Sequence, residues 1–159
     1  MPSKPLLLIQ TGTPPEPLLS SFGDLSDWFR HALGENSNGM QVVRVFEGEK
    51  LPEPGSHSAA IITGSWSMVS DQLHWSEDTA LWIRQAMEIE MPLFGVCYGH
   101  QLIAHALGGI VGYHPAGIEI GCEQIELLSA AEYDPLTEEL PNSFVAHLTH
   151  AQTVIKPPE

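Results

Sequence analysis

Apolar runs of strand length alternate along the chain with segments in which apolar residues recur at helical spacing. The short apolar or alternating runs predict strands over residues 6–10, 41–47, 59–63, 93–97, 110–114, 118–128 and 144–155. Helical spacing predicts helices over residues 20–33, 75–87 and 101–107. Strands that alternate with helices are typical of an α/β fold with a parallel sheet. We expect a flavodoxin-like or Rossmann-like, mostly parallel sheet with helices on both faces, to which the last two strands are antiparallel additions.

Local signals set the expected ends of the helices. The stretch from Thr11 to Pro17 is rich in proline and glycine, and we expect a loop there. Gly34 stands where the C-terminus of the first helix favours a left-handed residue. Ser76, followed by acidic residues, predicts the N-cap of the second helix, and Pro92 and Gly108 stand where the second and third helices should have ended.

Composition and charge narrow the class of protein. The 159 residues hold 20 acidic and 6 basic side chains, a formal net charge of −14. A surface this acidic repels phosphate and anionic lipid, so we expect no nucleic-acid or membrane partner. The length predicts a single domain over residues 1–159, and no apolar run is long enough for a secretory signal or a transmembrane helix. We therefore expect a cytoplasmic protein.

The cysteines and histidines give no sign of a structural metal. Cys97 and Cys122 lack Cys-x-x-Cys spacing, so we expect neither a disulfide framework nor a zinc site. No two of the eight histidines stand four residues apart with a carboxylate nearby. We expect no metal and no cofactor.

The stretch Gly95-Val96-Cys97-Tyr98-Gly99 lies where a predicted strand passes into a predicted helix. A nucleophile in such a turn adopts a strained backbone, and both flanking glycines are needed because a Cβ there would clash with the adjacent strand and helix. The helix N-terminus would lower the pKa of the Cys97 thiol, and the Tyr98 N–H would be a donor to an oxyanion. The competing interpretation is a buried core cysteine between two incidental glycines.

Residues 95–101, Gly-Val-Cys-Tyr-Gly-His-Gln, resemble the nucleophile motif of the class I glutamine amidotransferases. Two other stretches fit that family in the same order. Residues 61–66 are similar to the strand and turn that supply a second oxyanion donor, and residues 147–152 are similar to a late strand motif that helps to hold glutamine. The resemblance covers roughly residues 40–155 and is strongest to stand-alone, GMP synthase-like members.

The resemblance implies a role for seven residues. Cys97 is the nucleophile; Tyr98 and Ser65, with Gly64, form the oxyanion hole; Gln101, Thr149 and Ala151 bind the substrate. Many relatives have two glycines where this chain has Gly64-Ser65, a difference that is tolerable if only the N–H of Ser65 is used.

The chain departs from the family at the catalytic base. The family carries a His-x-Glu some tens of residues after the motif at Thr149, and none of the eight histidines here is followed two residues later by Asp or Glu. His100 is expected to be aimed away from the thiol, and His150 is expected to have no neighbouring acid. We therefore expect a chain truncated at its C-terminus, with little activity by itself.

Three functions remain open at this point. The first is a glutaminase that releases ammonia through a γ-glutamyl thioester and passes it to an ammonia-accepting synthase. The second is a hydrolase of γ-glutamyl amides or peptides. The third is a non-catalytic module that binds glutamine and lacks the triad base.

Overall fold

Four parallel strands form the central sheet of the computed structural model, which describes residues 4–159. The strands are β1 (Leu6–Gln10), β2 (Gln41–Arg44), β3 (Ala59–Ile62) and β4 (Leu93–Gly95), in the order β2-β1-β3-β4. Ile9 pairs with Ile62, and Ile62 pairs with Gly95, so these strands run in one direction and end at one edge. The predicted parallel sheet is confirmed, and its strand order is the flavodoxin-like one.

Helices cover both faces of this sheet. They are α1 (Glu16–Phe22), α2 (Leu25–Leu33), α3 (His74–Glu88) and α4 (Tyr98–Ala106). Leu7 and Ile9 point to one face, where they share a core with residues of α3 and α4. Leu8 points to the other face and packs near Phe29 of α2. This alternation confirms the predicted helices on both faces.

The predicted helix over residues 20–33 is wrong, because two helices occupy the segment. Gly23 has a φ of 78°, which ends α1. Asp24 then caps α2, and the carboxylate of Asp27 accepts from the Asp24 N–H at 3.0 Å. The expected loop over residues 11–17 is also shorter than predicted, since α1 begins at Glu16 with Pro17 in its first turn, where proline costs no hydrogen bond.

Three other predicted boundaries differ from those in the structure. Helix α3 begins at His74, so Ser76 is not its N-cap; the Ser76 hydroxyl instead contacts the buried Tyr98 hydroxyl at 2.6 Å. The strand predicted over 41–47 ends at Arg44 and passes into a 3₁₀ turn. Helix α4 begins at Tyr98 rather than at residue 101, directly after Cys97.

The C-terminal third contains four strands: β5 (Ile110–Tyr113), β6 (Glu119–Glu126), β7 (Ser143–His150) and β8 (Gln152–Lys156). The strand predicted over 144–155 is therefore two strands. The prediction that the last two strands are antiparallel additions to the parallel sheet is wrong. Strand β6 pairs antiparallel with β7 in a separate two-stranded sheet, and β8 pairs with β5 in another. The chain divides into two compact units, of which the second is Tyr113–Ala151 and the first is the rest. No helix within residues 4–159 has the length and apolarity needed to cross a membrane.

Candidate active site

Cys97 occupies the turn between β4 and α4, and its backbone is strained. Its φ is 51° and its ψ is −106°, a conformation that residues with a side chain rarely adopt. The residue is exposed rather than buried in the core. The predicted strained turn between a parallel strand and a helix is confirmed, and we call residues 95–99 the elbow. Strain of this kind is retained where the surrounding structure holds it in place.

The two flanking glycines of the elbow have no space for a side chain. A Cβ on Gly95 would lie 2.4 Å from the backbone nitrogen of His100, in α4. A Cβ on Gly99 would lie 2.3 Å from the carbonyl oxygen of Ile62, in β3. Real Cβ atoms do not approach backbone atoms this closely, so the predicted need for glycine at both positions is confirmed. Because neither glycine has a side chain, α4 can pack directly on β3.

The thiol of Cys97 is partly desolvated by the walls of the elbow, and this burial raises its pKa above the ordinary value. The backbone N–H of Tyr98 donates to the sulfur and acts in the opposite direction, but its effect is the smaller one. The N–H at the start of α4 thus acts in the predicted direction, but the predicted net lowering of the pKa is wrong because desolvation outweighs it. Desolvation depends on tertiary packing, which the local motif does not specify.

We expect the alkylation of Cys97 by iodoacetamide to rise at higher pH than that of an ordinary thiol. Only the thiolate attacks, so the rate follows the thiolate fraction, and a raised pKa moves that rise upward. The rate is measured against pH by mass spectrometry in a Cys122→Ser background. The same protein unfolded in urea is the control. A folded-state midpoint at or below the unfolded one would contradict the desolvated thiol.

The turn after β3 lies beside the elbow. The Val96 N–H donates to the Ile62 carbonyl at 3.0 Å, and the Gly99 N–H donates to the Thr63 carbonyl at 3.1 Å. An ideal Cβ built on Gly64 would lie 3.6 Å from the Cys97 Cβ. The structure therefore brings Gly64 against Cys97, with Ser65 next in the chain. The assignment of these residues to an oxyanion hole stays a prediction.

Tyr98 contributes its backbone to the elbow and its side chain to the core. The ring is buried and lies 5.7 Å from the Trp75 ring, centroid to centroid. Burial raises the pKa of Tyr98 to about 12, although the hydrogen bond with Ser76 acts to lower it. The hydroxyl is therefore neutral at physiological pH. The side chain anchors α4 on α3, and this leaves the backbone N–H as the group that faces the thiol.

Gln101 is buried in the first turn of α4, and its side-chain amide is engaged within the fold. Its Nε2 donates to the Gln152 carbonyl at 2.6 Å. The Gln152 side chain is buried as well and contacts Ser70, with its Nε2 donating to the Ser70 hydroxyl at 2.5 Å. A substrate contact by Gln101 stays a prediction. Sequence reasoning missed Gln152, whose only signal was its place at the end of the 147–152 motif.

Thr149 and Ala151 lie in the second unit, on and just after β7. The Ala151 carbonyl accepts from the His114 N–H at 3.0 Å, and the Thr149 hydroxyl donates to the Leu148 carbonyl at 2.8 Å. Both interactions are internal to that unit. The substrate-binding roles of Thr149 and Ala151 stay predictions.

The pairing of β6 with β7 creates two side-chain contacts that the sequence did not indicate. Glu119 lies opposite His150, with Oε2 3.3 Å from Nε2, so the inference that His150 has no acidic neighbour is wrong. Cys122 lies opposite His147, with its sulfur 3.2 Å from Nδ1. The residues of each pair are 25 or more positions apart in the sequence. Only the strand register, which the sequence pattern left unspecified, brings them together.

The described histidine, cysteine and carboxylate side chains, within residues 4–159, form no group of three that could hold a metal ion. The chemically distinctive features of the elbow are its strained backbone and its thiol. A strained, exposed cysteine at the carboxyl edge of a parallel sheet, with backbone N–H groups nearby, is suited to nucleophilic attack on a carbonyl carbon.

The sequence and the fold of this chain are similar to those of known amidotransferases and related enzymes. The family model "Glutamine amidotransferase class-I" matches residues 21–159. A GMP synthase [glutamine-hydrolyzing] of Aeropyrum pernix is 33% identical over 70% of this chain and 19% of its own length. Gamma-glutamyl peptidase 5 of Arabidopsis thaliana is 22% identical over 87% of this chain and 57% of its own. The crystal structure of a glutamine amidotransferase from Methylobacillus flagellatus has a TM-score of 0.71 and 26% identity, and covers 98% of this chain and 59% of the other. The chain thus spans less than two thirds of each of these relatives.

Proposed function

The chain belongs to the class I glutamine amidotransferase family, and we propose from this that it hydrolyses the side-chain amide of glutamine with Cys97 as nucleophile. The observation that carries the proposal is the strained, exposed Cys97 at the carboxyl edge of the sheet, beside Gly64. The edge where parallel strands end is where open α/β sheets bind their ligands.

The chemistry would proceed in two steps. The Cys97 sulfur attacks the amide carbon, and the N–H groups of Tyr98 and Ser65 stabilise the negative charge on the oxygen. The amide nitrogen then takes up the proton that the thiol has lost, the C–N bond breaks, and ammonia leaves while a γ-glutamyl thioester remains. Water attacks the thioester carbon, which releases glutamate and restores the thiol.

Because the pKa of Cys97 is raised, the proposed reaction depends on a general base. Because the thiol is mainly protonated at neutral pH, attack needs a group that removes its proton and later supplies one to the leaving ammonia. No His-x-Glu occurs among the 159 residues. Loss of a triad member costs several orders of magnitude in rate, so we expect these residues alone to turn over glutamine far more slowly than a complete triad would.

Two substrates remain within the same chemistry. The GMP synthase relative supports glutamine hydrolysis coupled to an ammonia-accepting synthase. The gamma-glutamyl peptidase, which matches along 87% of the chain, supports a γ-glutamyl amide or peptide as the alternative substrate, with no synthase partner. If the protein binds glutamine but forms no thioester on Cys97, it is the non-catalytic binding module.

The proposal is tested with the chloroketone analogue of glutamine, which alkylates a thiol without needing full turnover. We expect saturable labelling of Cys97, with protection by glutamine, measured by peptide mass spectrometry over time. Competition by a γ-glutamyl amide in place of glutamine separates the two substrates, because the true substrate protects at the lower concentration. Labelling that is not saturable and that glutamine does not slow would contradict a glutamine site at Cys97.

A further inference from the structure

Two fully buried threonines meet beneath the turn that follows β3. Thr11 comes directly after β1, Thr63 comes directly after β3, and neither side chain is exposed to solvent. The Thr11 N–H donates to the Thr63 hydroxyl at 3.0 Å, and the two hydroxyl oxygens are 3.1 Å apart. Buried hydroxyls are costly unless they are hydrogen-bonded, so this pair needs acceptors in fixed positions.

The acceptor that the two threonines share is the carbonyl of Gly64. Each hydroxyl oxygen lies 3.0 Å from that carbonyl oxygen, and the Thr11 hydroxyl also lies 3.0 Å from the Thr63 carbonyl. The peptide unit that joins Gly64 to Ser65 is planar and trans, so its C=O and N–H point in opposite directions. Holding the carbonyl toward the threonines therefore turns the Ser65 N–H away from them.

The side chain of Ser65 ties the same turn to the end of β1. Its hydroxyl donates to the Thr11 carbonyl at 2.8 Å and accepts from the Ser67 N–H at 3.1 Å. Gly12 makes room for this hydroxyl, because an ideal Cβ on Gly12 would lie 2.9 Å from it. A flip of the Gly64–Ser65 peptide would leave the buried Thr11 and Thr63 hydroxyls without the acceptor that they share.

We infer that Thr11 and Thr63 are positioning residues that lock the Gly64–Ser65 peptide in the orientation an oxyanion donor requires. The second donor is thus formed before substrate binds, with no reorganisation at the moment of reaction. The lock rests on the proposed function, because it matters only if Cys97 attacks a carbonyl. It also explains the Gly64-Ser65 pair: the serine hydroxyl is part of the lock, and its N–H stays available to the substrate.

The test compares two reagents on the same thiol. The chloroketone analogue of glutamine places a carbonyl oxygen where an oxyanion develops, whereas iodoacetamide reacts at a saturated carbon and needs no oxyanion donor. Thr11→Val removes the hydroxyl and keeps the shape of the side chain, Thr11→Ser restores the hydroxyl, and Ser65→Ala removes the tie from the turn itself. Thr13→Val is the matched control, since the Thr13 hydroxyl lies in the same loop and accepts from Arg44 at 3.2 Å. All are made in a Cys122→Ser background, and a thermal melt confirms that each is folded.

We expect Thr11→Val and Ser65→Ala to slow chloroketone labelling of Cys97 roughly tenfold, less than the 10²–10³-fold that loss of a whole donor costs. Iodoacetamide labelling should be unchanged, and Thr11→Ser and Thr13→Val should behave like the parent. Equal loss with both reagents, or no loss with either, would overturn the lock. If Thr11→Val does not fold, Ser65→Ala decides by the same criteria. A parent protein with no saturable chloroketone reaction would instead refute the proposed function, so the two failures are distinguished.

Discussion

Replacing Cys97 with serine is expected to abolish the glutamine-protected chloroketone adduct, with a fall in rate of roughly three orders of magnitude or more. A serine hydroxyl is a far weaker nucleophile than a thiolate, and it would need a strong base to react. The exposed position of Cys97 makes the substitution mild for the fold. The rate is followed by intact-protein mass spectrometry, with circular dichroism to confirm that the variant is folded.

Cys122→Ser is the matched control for this substitution. Cys122 is also an exposed thiol, and its sulfur lies 3.2 Å from Nδ1 of His147. Simple alkylating agents are therefore poor at telling the two cysteines apart, whereas a glutamine-shaped reagent reports on the elbow. An adduct that persists in Cys97→Ser and disappears in Cys122→Ser would move the nucleophile to the second unit and overturn the assignment of Cys97.

Replacing Gly99 with alanine is expected to destabilise the protein by more than about 3 kcal/mol, because the new methyl group would meet backbone rather than flexible side chain. Its Cβ would lie 2.3 Å from the Ile62 carbonyl oxygen, so α4 would have to move off β3. The measurement is the free energy of unfolding in urea, followed by circular dichroism. We expect Gly99→Ala to unfold at much lower urea concentration or to be unfolded in its absence.

Gly112→Ala is the control for the general cost of losing a glycine. A Cβ at Gly112 would make only an ordinary contact, 3.7 Å from Ile155, so its effect should stay below about 1 kcal/mol. If Gly99→Ala were as stable as Gly112→Ala, the close packing of α4 on β3 would be wrong. The account of the strained elbow would then lose its main support.

The features that the sequence predicted well are those set by neighbouring residues. Residues 95–99 lie where a strand passes directly into a helix, so the strain at Cys97 could be predicted from five consecutive residues. The parallel sheet could be predicted from apolar runs, because strands that are buried on both faces are apolar along nearly their whole length. Both signals can be recognised within short stretches of consecutive residues.

The features that were missed depend on partners far along the chain. Ser76 has the chemistry of an N-cap, but its hydroxyl is hydrogen-bonded to the hydroxyl of Tyr98, 22 residues further along the chain. The pKa of Cys97 is set by packing around the sulfur, which outweighs the local hydrogen bond from Tyr98. The contact of Glu119 with His150 follows from strand register alone. In each case tertiary structure decides between options that the local sequence leaves open.

The central claim is that Cys97 forms a γ-glutamyl thioester with its substrate, and trapping that adduct tests it most directly. The protein is incubated with glutamine or a γ-glutamyl amide, quenched in acid, and mapped by peptide mass spectrometry before and after treatment with hydroxylamine, which cleaves thioesters. Without a positioned base both formation and hydrolysis of the thioester are slow, so the incubation is prolonged and an adduct that forms should persist long enough to be detected. We predict a hydroxylamine-labile γ-glutamyl group on the peptide that carries Cys97, absent from Cys97→Ser. Binding of glutamine with no adduct on Cys97 after prolonged incubation would contradict the claim and identify a non-catalytic binding module instead.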